Sequence, residues 1–167
     1  MRLTPSYYFN SLAEVPVALL LEHGVDVVLL DKDNTLTFDT KAELLPGAGE
    51  WLKKARASGL TPVILSNNIE ENVKAAAGLM GAEYISAAKK PGLSSLPRIV
   101  EAYGAADKIA VIGDQLFTDI WFANRAKMLS ILVKPYGEDI PFSIKIKRVL
   151  EKPFVKRLKE GCDGTAR

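Results

Sequence analysis

Short apolar runs recur along the chain at 25–30, 61–65, 83–87, 108–112 and 130–133. They are rich in Val and Ile and nearly continuous rather than alternating, the pattern of strands buried on both faces. Between them lie stretches of helical pattern at 46–57, 69–80, 93–103 and 118–126. Pro46 suits a first helical turn, Gly59 and Gly81 suit helix ends, and His23 before Gly24 reads as a helix end too. Strands and helices alternating at this interval predict an α/β fold, a three-layer Rossmann-like, doubly wound parallel sheet. Ahead of the first predicted strand, Tyr7, Tyr8 and Phe9 and the run 15–21 are apolar; they can line an open site mouth, but packing into the core is the favoured expectation.

What closes each predicted strand is polar. Asp31-Lys32-Asp33-Asn34-Thr35 follows the first run, Ser66-Asn67-Asn68 the second, Lys89-Lys90 the third and Gly113-Asp114 the fourth. In a parallel sheet all carboxyl ends lie along one edge, where ligands bind, so these four clusters are expected to converge on one site. With nine Asp and seven Thr in the chain, an Asp-x-Asp-x-Thr run arises by chance only ~0.02 times at this composition.

Composition limits what that site can do. The chain has 167 residues, 48% hydrophobic and 25% charged, enough for one globular domain with a sizeable core. The single cysteine, Cys162, excludes an internal disulfide framework and fits a reducing compartment. The single histidine, His23, leaves no His cluster for zinc and argues against a Ser–His–Asp hydrolase. No apolar run is long enough to span a bilayer, and the first residues do not read as a secretory signal. Carboxylates, hydroxyls, amides and lysines remain. An aspartate at a strand end can act as a nucleophile and form an acyl-phosphate, here Asp31. Asp33 can protonate the leaving oxygen and then deprotonate water. A Mg²⁺ between carboxylate and phosphate would offset their repulsion, with Asp114 as a further oxygen ligand. Ser66 and Lys90 are placed to hold phosphoryl oxygens.

These residues resemble the four motifs of the haloacid dehalogenase (HAD) superfamily, in order across about residues 25–135. DKDNTLT at 31–37 is similar to the first motif, LSNN at 65–68 to the second, AKKP at 88–91 to the third and GDQLFTD at 113–119 to the fourth. The resemblance implies Asp31 as nucleophile and Asp33 as acid/base. It implies Mg²⁺ held by Asp31, by Asp33 through its backbone carbonyl, and by Asp114, with Asp119 in support. Thr35, Ser66, Asn67 and Lys90 are the implied phosphate-binding residues; Lys90 directly precedes Pro91, and Lys89 is the alternative lysine. An acid/base aspartate two residues after the nucleophile favours a phosphatase or phosphomutase over a dehalogenase or an ion pump.

About 30 residues separate Thr35 from Ser66 and about 20 separate Asn68 from Lys89, too few for a cap domain. The chain therefore resembles the capless class (subfamily IIIA), and within it the phosphatidylglycerophosphate phosphatase-like group. The implied reaction removes the terminal phosphate of phosphatidylglycerophosphate to leave phosphatidylglycerol. A capless site takes bulky substrates or gains a lid by homo-oligomerising.

Charge is uneven. Residues 140–167 carry eight Lys/Arg against three acids, net +5, while residues 1–139 are net −3. The expected division is a catalytic domain at 1–139, including an N-terminal extension, and a basic segment at 140–167 ending in a disordered tail. Ile146, Leu150, Phe154 and Leu158 recur every four residues in that segment, with Pro153 interrupting it. Such a segment can rest on anionic phospholipid or pack against the domain. These features predict a cytoplasmic enzyme, peripheral at the inner membrane face, with a phosphorylated partner and no nucleic acid. Two other readings stand beside it: a phosphatase for soluble sugar or nucleotide phosphates or phosphoproteins, and a non-catalytic module that grips nucleic acid with the basic tail.

Overall fold

The computed structural model describes residues 3–38 and 43–136. The basic amphipathic segment at 140–167 lies outside the described residues, as does the boundary proposed for it.

Six strands form one sheet. They are β1 (Tyr7–Phe9), β2 (Val27–Leu30), β3 (Thr61–Leu65), β4 (Glu83–Ile85), β5 (Ile109–Gly113) and β6 (Leu129–Val133). Every neighbouring pair is parallel and the order is β1-β6-β5-β2-β3-β4. Five of these strands sit on the predicted apolar runs, with ends shifted by up to two residues. The sixth is a difference. Tyr7–Phe9 is not merely core filling; it is an edge strand paired with β6, Tyr8 opposite Leu132. Three half-buried residues carry too short a pattern to announce a strand.

Side chains alternate cleanly across the sheet, as the pleat requires. Val28, Leu30, Ile64, Ala110, Ile112 and Ile131 face one layer, and Val27, Leu29, Val63, Leu65, Ile109 and Val111 face the other. The first layer holds α1 (Val17–Glu22), α2 (Ala48–Ala57) and α3 (Glu70–Met80), and the second holds α4 (Leu96–Tyr103) and α5 (Trp121–Ala126). Leu29, Leu30 and Ile112 are fully buried, each adding about 1.5–3 kcal/mol over exposure. The Trp51 indole donates to the Val15 carbonyl at 2.8 Å and ties α2 to the N-terminal segment. As the sequence implied, the helices end where backbone chirality must break: Gly81 caps α3 at φ 55°.

β2 occupies the centre, between β3 and β5, so the strand ends carrying Asp31, Ser66 and Asp114 are adjacent by construction. Only four residues join β3 to α3, and among the described residues no cap domain is inserted.

Candidate active site

The backbone of Asp31 continues the ladder, its N–H donating to the Ile112 carbonyl at 2.9 Å. The chain then turns sharply. Leu36 and Thr37 both donate to the Lys32 carbonyl, and Asn34 adopts a left-handed conformation at φ 59°, which asparagine tolerates better than most residues. This curl leaves Asp31 buried at the strand end and Asp33 half-buried beyond it.

Lys90 reaches the same place from the β4 side. It is buried, and its ammonium donates to Asp31 Oδ1 at 2.7 Å, Asp119 Oδ1 at 2.6 Å and the Leu65 carbonyl at 2.8 Å. Lys89 is exposed. Of the two candidate lysines, Lys90 is the one in the pocket. Burial alone would lower its pKa, but Asp119 and Asp31 outweigh that and hold it above the ordinary lysine value.

Asp114 and Asp119 arrive on the segment after β5. A π-helical turn at Leu116–Ile120, closed by Ile120 N–H to the Gln115 carbonyl, rotates Asp119 inward. Gly113 makes room, because a Cβ there would collide with the Asp119 carboxylate. One oxygen each of Asp31, Asp114 and Asp119 lies within 4.8 Å of the others, and all three residues are buried. Oxygen donors of this kind suit a hard divalent cation. Charge among the described residues agrees: four carboxylates (Asp31, Asp33, Asp114, Asp119) meet two buried lysines (Lys32, Lys90), a deficit of two positive charges. Burial pushes the Asp31 carboxyl up to about 7; Lys90 pulls against this, while the charges of Asp119 and Asp33 add to it. A cation among these oxygens would favour the ionised form.

The remaining expected residues have mixed placements. Ser66 is buried, and its hydroxyl accepts from the Asn68 N–H at 3.2 Å. Asn67 spends its side chain on the Lys90 backbone rather than on open space. Thr35 is buried and lines a cleft beside the loop. Two residues outside the expected set join the site. Asn68 donates to Asp33 Oδ2 at 2.6 Å, and Lys32 pairs with Asp33 Oδ1. Asn68 carried a signal, since it shares a strand end with Ser66. Lys32 carried none, because a lysine between two aspartates reads as solvated.

A central parallel strand ending in a buried aspartate, a second aspartate two residues on and a buried lysine from the loop after β4 define a capless phosphatase of the haloacid dehalogenase superfamily. It is a phosphoric monoester hydrolase acting on a phosphorylated substrate. The family model described as mitochondrial PGP phosphatase matches residues 1–135, and the chain belongs to that family. It is 30% identical over 156 residues to the Bacillus subtilis (strain 168) protein named "Probable phosphatase YqeG", covering 93% of this chain and 91% of that protein. It is 25% identical over 164 residues to "Phosphatidylglycerophosphate phosphatase 1, chloroplastic/mitochondrial" of Arabidopsis thaliana, covering 92% of this chain and 47% of that protein. The chain thus spans about half the length of the plant relative. In fold it is similar to the cobalt-bound deoxy-D-mannose-octulosonate 8-phosphate phosphatase of Haemophilus influenzae, at TM-score 0.51 and 18% identity over 75% of each chain.

Proposed function

We propose that the chain is a Mg²⁺-dependent phosphatase that forms an aspartyl-phosphate on Asp31 and takes phosphatidylglycerophosphate as substrate. The observation that carries the catalytic part is the pairing of Asp31 with Lys90 beside Asp33. An Asp31 oxygen attacks phosphorus and the bond to the leaving oxygen breaks. Asp33 gives that oxygen its proton and later takes one from the attacking water, which releases phosphate and restores Asp31. Lys90 holds positive charge against the phosphoryl oxygens throughout. Asn68 and Lys32 orient the Asp33 carboxylate. Asp31, Asp114 and the Asp33 carbonyl would hold the Mg²⁺, with Asp119 in support, and the ion would supply charge neutralisation at the phosphoryl group.

Three facts support the lipid substrate. The family is that of PGP phosphatases, and the plant relative is named for this activity. No cap closes over the site among the described residues. Exposed groups of two kinds stand on the carboxyl-edge loops, apolar or aromatic Ile69 and Tyr136 and cationic Lys89 and Lys134, which suits an anionic lipid surface. No helix among the described residues is long and apolar enough to cross a membrane. With an anionic lipid as substrate, this reading places the enzyme at the inner membrane face, on the cytoplasmic side. Phosphate release from phosphatidylglycerophosphate is to be compared with release from sugar phosphates, nucleotides and phosphopeptides at matched Mg²⁺. A clear preference for the lipid is expected, and equal or better turnover of a soluble ester would replace it with the soluble-substrate reading.

A further inference from the structure

We propose that the cleft on the β6 side of the Asp31–Thr35 loop is a leaving-group subsite, which binds a glycerol group carrying a phosphodiester. The proposal rests on the phosphatase reading of the neighbouring carboxylates and specifies what the substrate presents beyond its scissile phosphoryl group.

The cleft has a volume of about 150 Å³. Leu12, Leu45 and Val133 give it apolar walls, Thr35 lines it from the catalytic loop, and Lys134 and Tyr136 line it from the chain beyond β6. Thr35 is 1% exposed, and its hydroxyl has no hydrogen-bond partner among the described residues. A buried hydroxyl in that condition is unusual in a folded protein and leaves a donor and an acceptor for a polar group that enters the cleft. Lys134 is exposed and has no ion-pair partner among the described residues. A buried hydroxyl and a cation, both unpartnered among the described residues, match a polyol with an anionic diester, and the apolar walls match its carbon backbone.

Position and size agree. Asn34 and Thr35, which line the cleft, directly follow Asp33, the residue placed to protonate the leaving oxygen. The Tyr136 N–H donates to the Asn34 carbonyl at 3.3 Å, and the Phe38 and Tyr136 rings meet edge to face at 5.3 Å. The far wall is therefore fastened to the catalytic loop. At about 150 Å³ the cleft is well below the ~300–1,000 Å³ of sites that enclose a whole drug-sized ligand. It admits a glycerol-sized group and leaves acyl chains outside, as an uncapped site at a lipid surface requires.

The test uses the full chain with Mg²⁺ and three probes. Monomeric dihexanoyl phosphatidylglycerol and its deacylated diester are titrated calorimetrically, and dihexanoyl phosphatidylglycerophosphate is compared as substrate with para-nitrophenyl phosphate. Lys134→Ala is expected to weaken binding of both diesters about tenfold, about 1.4 kcal/mol. It is also expected to raise KM for the lipid about tenfold more than for the aryl phosphate, and Lys134→Arg should recover most of the loss. Equal losses on the two substrates, or no binding of either diester to the unaltered chain, overturn the subsite. Lys134-dependent diester binding without turnover of the lipid keeps the subsite and refutes the lipid substrate. Equal binding of both diesters is the expected result, and binding of the acylated diester alone overturns a subsite that leaves the acyl chains outside.

Discussion

Asn67 grips the backbone of Lys90 at both polar atoms: its Oδ1 accepts from the Lys90 N–H at 2.7 Å and its Nδ2 donates to the Lys90 carbonyl at 3.0 Å. The second strand-end cluster thus positions the third, and Asn67 acts on the phosphate pocket through Lys90. Asn67→Ala removes both bonds. A loss of roughly 1–3 kcal/mol in stability is expected, with a fall in kcat of up to ~10²-fold if Lys90 shifts by about an ångström. Denaturant titration and steady-state kinetics on para-nitrophenyl phosphate check this. Unchanged kcat would mean that Lys90 is held in place without the clamp.

Lys90 and Lys89 should separate sharply on substitution. Lys90→Ala leaves Asp31 and Asp119 facing each other in a buried pocket, so a loss on the order of 3–5 kcal/mol is expected along with activity. Lys89→Ala, at an exposed position, should fold normally and retain turnover. Thermal melts and phosphate release from para-nitrophenyl phosphate, which needs no lipid surface, decide it for both variants.

Asp31→Asn should abolish phosphate release from para-nitrophenyl phosphate, because the amide cannot serve as nucleophile. Asp33→Asn should slow turnover but still allow a beryllofluoride adduct on Asp31, visible by fluorine NMR. Substantial residual turnover by Asp31→Asn would defeat the nucleophile assignment.

Metal dependence should vary with pH in a definite direction. Burial pushes the Asp31 carboxyl of the metal-free fold up to about 7 from an ordinary 3.8. Between those values the metal-free native state keeps a proton that the unfolded chain has released. Its contribution to stability therefore falls as pH rises through that window. A cation displaces that proton, so the stabilisation added by Mg²⁺ over EDTA should grow from pH 5 to pH 7.5. Calorimetric melts with and without Mg²⁺ measure it, and Asp31→Asn should flatten the trend. A metal effect independent of pH would remove Asp31 from the ligand set.

Gly113→Ala drives a methyl group into the Asp119 carboxylate. Overpacking of that kind costs about 1–3 kcal/mol, and here it also displaces the acceptor of Lys90. Lower thermal stability with reduced activity is expected; a variant with unaltered melting temperature and turnover would show that the turn after β5 yields.

Much of this molecule is legible in one dimension because its strands are short, buried on both faces and each closed by a polar cluster. Asp31, Ser66, Lys90 and Asp114 meet because parallel pairing places consecutive carboxyl ends on one edge. Pairing itself does not say which polar side chain at a strand end turns inward. Asn67 looked like a phosphate ligand and is a backbone clamp. Asp119 looked like a support and lies among the three clustered carboxylates, since a π-helical turn, invisible in the pattern, rotates it there. Lys32, which no pattern singled out, is buried against Asp33. Tyr7–Phe9 became an edge strand only because β6 offered an unpaired edge.

The sequence by itself therefore determined the α/β class, the order of the site-bearing loops and the residue types available for chemistry, since hydrophobic period and composition are local properties. Only the tertiary structure decided which lysine enters the pocket, which acids share a cation-sized space and where a cleft opens beside them. Those outcomes depend on how charge, hydrogen bonds and packing are satisfied together in a volume too small for every polar group to reach water.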